Sequence, residues 1–229
     1  MQTTNAARSL ASFHDAERKQ ESFLAPAERV CLNWLARRTP AAIHPDHLTA
    51  LGLLAMMLAG GSYALARGWP PALLLVNFWI AVNWLGDSLD GTLARVRNRQ
   101  RPRYGFYVDH MIDSLGACFL IGGLGVSGYM SGRVAVALLL LFFLLSINSY
   151  LATYTIGTFQ LSFCKFSPTE IRLLLSIGNT WICFHPRVLA GRYLLFDIGG
   201  VVACAMMAVL LAVSVANNTR FLYRLESGR

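Results

Sequence analysis

The 229-residue chain predicts an all-α, polytopic membrane protein, and three observations carry that prediction. Hydrophobic residues make up 55% of it, charged residues only 14%, and mean hydropathy is +0.47, a composition that soluble domains of this size seldom show. Apolar runs of about twenty residues, the length a helix needs to cross the hydrocarbon core, recur with short links between them. Only helices and closed barrels satisfy their backbone hydrogen bonds in lipid, and these runs have the length of helices.

Taken in order, the first 27 residues, ending "KQESFLAPA", are polar and mixed in charge and lack the apolar core of a signal peptide, so no cleavage is expected. From Ala27 to Arg38, "AERVCLNWLARR" sets Val30, Leu32, Trp34 and Leu35 among charges at helical spacing. Two readings fit it: an amphipathic helix lying in the membrane interface, and a short helix packed on the bundle. In "TPAAIHPDHLTALGLL", Pro45 suits the first turn of a helix, and Asp46 and Thr49 sit beside its unpaired N–H groups, which favour anions and phosphates. A plain helix start explains the same residues.

Six spans are expected, at about 48–66, 70–94, 105–129, 133–159, 168–184 and 194–215. They form one membrane domain over residues 48–216, between an N-terminal segment of residues 1–47 and a tail of residues 217–229. With the N-terminus inside, only Arg67, Arg133, Arg187 and Arg192 of the 20 Lys and Arg residues fall in outside links. That bias places both termini in the cytoplasm, in the cytoplasmic membrane of a cell. The net charge of +8 therefore reads as topology and contact with anionic lipid, and nucleic acid is not an expected partner. Cys31, Cys118, Cys164, Cys183 and Cys204 lack any CxxC spacing and read as small packing residues.

Four of the 12 acidic residues gather at one membrane boundary. Asp87 and Asp90 end the second span, and Asp109 and Asp113 open the third. Carboxylates near lipid are costly unless a cation or a donor compensates them, which marks them as functional. At about 100° per residue, Asp87, Asp90, Gly91 and Ala94 share one helix face, and Gly105, Asp109, Asp113 and Gly116 share another. The short loop "VRNRQRPRY" makes the two helices antiparallel neighbours, so the acidic faces meet at one depth. Hard oxygen donors with one adjoining His suit Mg²⁺ or Mn²⁺ rather than zinc, and such ions are commonly completed by substrate phosphates. Gly91 and Ala94 leave room on that face for a nucleotide or diphosphate, although small residues in a membrane bundle also serve close helix packing. Arg95, about 80° around the helix from Asp87, would reach a phosphate or pair with a carboxylate.

In order, Asp87, Asp90, Gly91, Ala94, Arg95, Gly105, Asp109 and Asp113 resemble the DxxDGxxAR and GxxxDxxxD motifs of the CDP-alcohol phosphotransferases. The resemblance implies a six-span bundle with an interfacial N-terminal helix, a homodimer, and two divalent ions. It implies that Asp87, Asp90 and Asp109 bind metal, and that Asp113 touches metal or removes the acceptor proton. Gly91, Ala94 and Arg95 would border the cytidine diphosphate. "HPDHLTALG" is similar to the family's PNxLTxxG, with Asp46 in place of the usual Asn and Thr49 retained as a nucleotide-side residue. The implied reaction is attack by an alcohol on the β-phosphorus of a CDP-linked alcohol, with release of CMP, in phospholipid synthesis.

Local stretches, "VDHMIDSLGACF" and "FSPTEIRLLL", resemble the choline and ethanolamine phosphotransferase branch. There His110 would assist as base and Glu170 would orient it, with a CDP-aminoalcohol donor and a diacylglycerol acceptor. An interface histidine and a first-turn helix acid explain the two residues equally well. The other arrangement uses CDP-diacylglycerol and a polar acceptor, whose phosphate Arg97, Arg99, Arg101, Arg103 and Lys165 would hold, although cytoplasmic loops carry such charges anyway. Two rivals remain: a membrane prenyltransferase acting on a Mg²⁺-bound diphosphate, which "NWLGDSLD" faintly resembles, and a cation transporter with a carboxylate site. The first lacks the DGxxAR sequel, and the second would break its helices near the bilayer centre. No role is assigned to Asp197.

Overall fold

A computed structural model describes residues 25–156, 168–185, 187–188 and 193–227. Among them are seven helices: α1 (Ala25–Arg38), α2 (Pro45–Ala66), α3 (Ala72–Val96), α4 (Pro102–Val126), α5 (Gly132–Ile156), α6 (Pro168–Phe184) and α7 (Leu195–Ser227). Between α6 and α7 lies an antiparallel pair of two-residue strands absent from the sequence expectation, β1 (Arg187–Val188) and β2 (Tyr193–Leu194).

The helices α2 to α7 stand where the six spans were expected. Four of them, α2, α3, α5 and α7, are long and apolar enough to cross a membrane, which makes the chain an integral membrane protein. The other two differ for visible reasons, α4 because Asp109 and Asp113 interrupt its apolar sequence and α6 because it has only 17 residues. The last helix runs on to Ser227, past the expected end of the sixth span near residue 215, so residues 217–227 of the expected tail are helical.

Local sequence explains the turns that set the site. Pro45 opens α2, and His47 Nδ1 accepts from the His44 N–H at 3.3 Å. Asn98, at φ +53°, reverses the chain after α3, a conformation that Asn tolerates better than most residues. Arg97 beside it donates to the carbonyls of Ile43 at 2.5 Å, Thr39 at 2.8 Å and Pro40 at 2.9 Å, tying the α1–α2 connection to the end of α3.

Helix α2 lies at the centre, packed on α3 and α4 through glycines. A Cβ on Gly86 would fall 2.6 Å from the Leu48 carbonyl oxygen, so α3 reaches its depth on α2 only without a side chain there. Away from the site, Gly60 and Gly123 bring the backbones of α2 and α4 into contact. The larger core, including Ala59, Tyr63, Leu73, Val76, Ile80 and Leu124, fills that half of the bundle. Within it Tyr63 donates to Asn179 Oδ1 at 2.8 Å, Asn179 to Asn77 Oδ1 at 2.8 Å, and Asn77 to Thr180 Oγ1 at 3.0 Å, stitching α2, α3 and α6 together.

A second core of Leu32, Ala36, Leu48, Leu89 and Leu93 seats α1 on the end of α3. The opposite face of α1 exposes Val30 (72%) and Trp34 (52%). Helices α5 and α7 pair with each other and α5 packs on α4, while α6 touches α7 only sparsely. Asp197, unassigned from sequence, accepts from the Ser131 N–H at 2.6 Å and so caps the start of α5 from α7.

Candidate active site

The reversal at Asn98 sets the start of α4 beside the end of α3, and three carboxylates converge. Asp87, Asp109 and Asp113 each offer an oxygen within 4.8 Å of the others. Asp87 and Asp109 are half-buried and Asp113 is exposed. Three hard, anionic oxygens from two helices at this separation could hold a divalent cation, and their chemistry suits Mg²⁺ or Mn²⁺.

Asp90, expected as the fourth ligand, lines the same cavity but holds other partners. Its Oδ2 accepts from Thr49 Oγ1 at 2.6 Å, and its Oδ1 from the Gly91 N–H. Thr49 therefore reaches the site by gripping a carboxylate, across the α2–α3 contact that Gly86 permits.

Arg172 is the residue that sequence reading missed. From α6 its Nη2 donates to Asp87 Oδ2 at 2.6 Å, with the two side chains 17% and 28% exposed. In the sequence it counts only toward the positive charge of the inside segments; its signal is a basic residue within the expected span 168–184, the pattern that marks a partner for an intramembrane acid. Asn83, one turn before Asp87 and buried, was also missed; its signal was a polar residue inside "FWIAVNWLGD".

Two spaces meet at the carboxylates. A small cavity of about 30 Å³ is lined by Thr49, Asn83, Asp87, Asp90, Asp109, Asp113 and Arg172 with apolar neighbours. A wide one of about 2370 Å³ carries the same aspartates and extends from a polar mouth into the apolar cleft between α6 and the α5–α7 pair. Its mouth includes Asp46, Thr49, Gly91, Ala94, Arg95, Arg99, Arg101, Arg103 and Gly105, and its far wall Ile121, Leu138, Leu175 and Phe196.

Most residues singled out in the sequence thus share one space. A Cβ on Gly91 would meet only Arg95 Nη1, at 3.5 Å, so Gly91 is not a packing glycine. Arg95 donates to Thr92 Oγ1 at 3.0 Å, one turn back along the same wall. Arg101 pairs with Asp46 and lies 4.2 Å over the Tyr104 ring; the hydrogen bond to Asp46 pushes its pKa up.

Arg97 is directed elsewhere, because its guanidinium holds the three carbonyls described above. Lys165 and Cys164 lie outside the described residues. His110 lines the wide cavity, its Nδ1 2.6 Å from the Phe106 carbonyl and its ring edge-on to Tyr150. Glu170, in the first turn of α6, does not line either cavity.

No family model matches the chain. It is 32% identical over 128 residues to a CDP-diacylglycerol--serine O-phosphatidyltransferase of Encephalitozoon cuniculi (strain GB-M1), a match covering 52% of this chain and 32% of that protein. The chain spans about a third of the length of that curated relative.

Proposed function

We propose that the protein is a divalent-metal-dependent CDP-alcohol phosphotransferase of the membrane. The observation that carries this reading is the convergence of Asp87, Asp109 and Asp113 at the polar end of a cavity whose other end is apolar. A metal site in a water-filled pore would not need the apolar arm. An amphiphile with a diphosphate head does, because its chains must stay out of water while its head meets the carboxylates. The relative's name and the motif resemblance support the same chemistry.

In this reading Asp87, Asp109 and Asp113 hold the ion, with Asp90 beside them. The ion, when bound, neutralises charge on the diphosphate and on the departing phosphate. Thr49 orients Asp90, and Arg172 balances the acidic cluster through Asp87. Gly91 and Ala94 leave the wall open to the nucleotide, with Arg95 and Arg99 beside them at the mouth. The acceptor oxygen attacks the β-phosphorus as its proton passes to Asp113, the most exposed of the three carboxylates. The bond from the β-phosphorus to the bridging oxygen breaks, and CMP leaves with that electron pair.

The relative's name makes CDP-diacylglycerol with a small hydroxylated acceptor the first pair to test. The second pair, a CDP-aminoalcohol with diacylglycerol, rests on "VDHMIDSLGACF" and the PTE at Pro168–Glu170, with His110 as an assisting base. Both put a diacylglyceryl moiety in the apolar arm. All six helices α2–α7 cross the bilayer in this reading, α4 turning its aspartates to the cavity rather than to lipid. The termini and the site face the cytoplasm by the positive-inside bias, α1 lies at the interface with Trp34 toward lipid, and the chain works as a homodimer.

The test is CMP release by the purified protein, supplied with CDP-diacylglycerol, CDP-choline or CDP-ethanolamine against a panel of acceptors, with and without Mg²⁺ or Mn²⁺. Metal-dependent CMP release that disappears in Asp113→Asn is expected. Metal-dependent ion flux in vesicles without CMP release would overturn the reading in favour of a transporter.

A further inference from the structure

The small cavity beside the carboxylates has a wall that the mechanism above leaves unused. Asn83 lies on α3 one turn before Asp87 and is 6% exposed. Its Nδ2 donates to the Gly52 carbonyl at 3.1 Å. A carbonyl only accepts, so this bond fixes the orientation of the amide and turns Oδ1 the other way. Among the described residues no group donates to that buried Oδ1. A buried acceptor without a donor is costly. The polar side chains of known hydrogen bonding around it do not supply one: Thr49 donates to Asp90 and Arg172 to Asp87, while ionised carboxylates only accept.

We propose that the cavity takes a single water molecule that donates one hydrogen to Asn83 Oδ1 and the other to a carboxylate, its oxygen turned to the divalent ion. Asn83 is then a positioning residue for a water of the ion's coordination shell. This rests on the metal reading of Asp87, Asp109 and Asp113. The space suffices, since about 30 Å³ exceeds the roughly 10–15 Å³ that a buried water requires. The geometry also separates two tasks in one side chain, with Nδ2 holding the α2–α3 crossing at Gly52 and Oδ1 serving the ion.

The experiment is a Mn²⁺ titration of the purified full chain in detergent, read by the electron paramagnetic resonance signal of free Mn²⁺. Asn83→Leu removes both the bond to Gly52 and the acceptor, whereas Asn83→Asp removes the bond but keeps an acceptor oxygen. Asn83→Leu is expected to weaken Mn²⁺ binding about tenfold, in the range for residues one shell out from a metal. Asn83→Asp is expected to retain binding, while both variants melt earlier than the parent without metal. Equal weakening in both variants, or unchanged binding in Asn83→Leu, would overturn the assignment. Should Asn83→Leu not fold, a Mn²⁺-bound structure of the parent protein decides. A water between the ion and Asn83 Oδ1 supports the proposal, and an ion bound directly to Oδ1, or no water there, overturns it. A parent protein that binds no Mn²⁺ would instead bring down the metal reading itself, for which Asp109→Asn is the matched control.

Discussion

Arg172 and Asp87 show what a single side chain does for the acidic cluster. Three carboxylate oxygens within 4.8 Å repel one another, and the guanidinium at 2.6 Å compensates part of that charge. Arg172→Gln removes the compensation, so the variant should melt earlier than the parent without metal and recover most of the difference in saturating Mg²⁺. An equal loss in both conditions would show that Arg172 serves packing alone. Asp113→Asn should lower CMP release by roughly 10²- to 10⁴-fold, the usual contribution of a general base, while protein melting still responds to Mn²⁺. Activity within a factor of a few would remove Asp113 from the chemistry. Both side chains stand in a pattern the sequence displays, but only one was assigned a role from it. An aspartate at fixed spacing from three others can be placed by helix periodicity, whereas Arg172 is distant in sequence from Asp87 and meets it only because α6 packs on α3.

At the scale of the helices, two glycines of α3 that look alike in sequence do different work. A Cβ at Gly86 would meet the Leu48 carbonyl oxygen at 2.6 Å, while one at Gly91 would meet only Arg95 Nη1. Gly86→Ala should destabilise the bundle by about 1–3 kcal/mol by forcing α3 off α2. Gly91→Ala should leave stability unchanged or slightly raised and increase KM for the CDP donor. Measuring melting temperature and KM on both variants checks the pair, and a stability loss confined to Gly91→Ala would reverse the assignment. Asp197 works between elements, since its carboxylate accepts from the N–H that precedes α5. Asp197→Ala should cost about 1–2 kcal/mol without touching the metal response. The smallness of Gly86 and Gly91 is legible in the sequence. Which one faces a helix and which a cavity is not, because that depends on the backbone lying opposite.

Across the whole molecule, the wide cavity joins the carboxylates to an apolar arm because α6 and α7 barely touch, leaving a cleft that α4 and α5 line. Filling the arm with Ile121→Trp should raise KM for a long-chain lipid substrate far more than for a short-chain analogue, measured by CMP release with each. Equal effects would mean that the arm does not take the chains. Hydropathy and helix period alone determined the helical membrane class, the places of α2–α7 and the sharing of faces by Asp87 with Asp90 and by Asp109 with Asp113, because these properties repeat along a single helix. The overrun of α7 to Ser227 was beyond them, since a helix leaving the bilayer keeps its backbone bonds while its sequence turns polar. Only the packed structure decided that Asp87, Asp109 and Asp113 converge while Asp90 turns to Thr49. It also decided that Arg172 and Asn83 enter the site and that Arg97 leaves it for the α1–α2 connection. The reason is physical: a carboxylate's partners are chosen by which helix lies across from it and how closely, and that distance is set by glycines and packing far from the carboxylate in sequence.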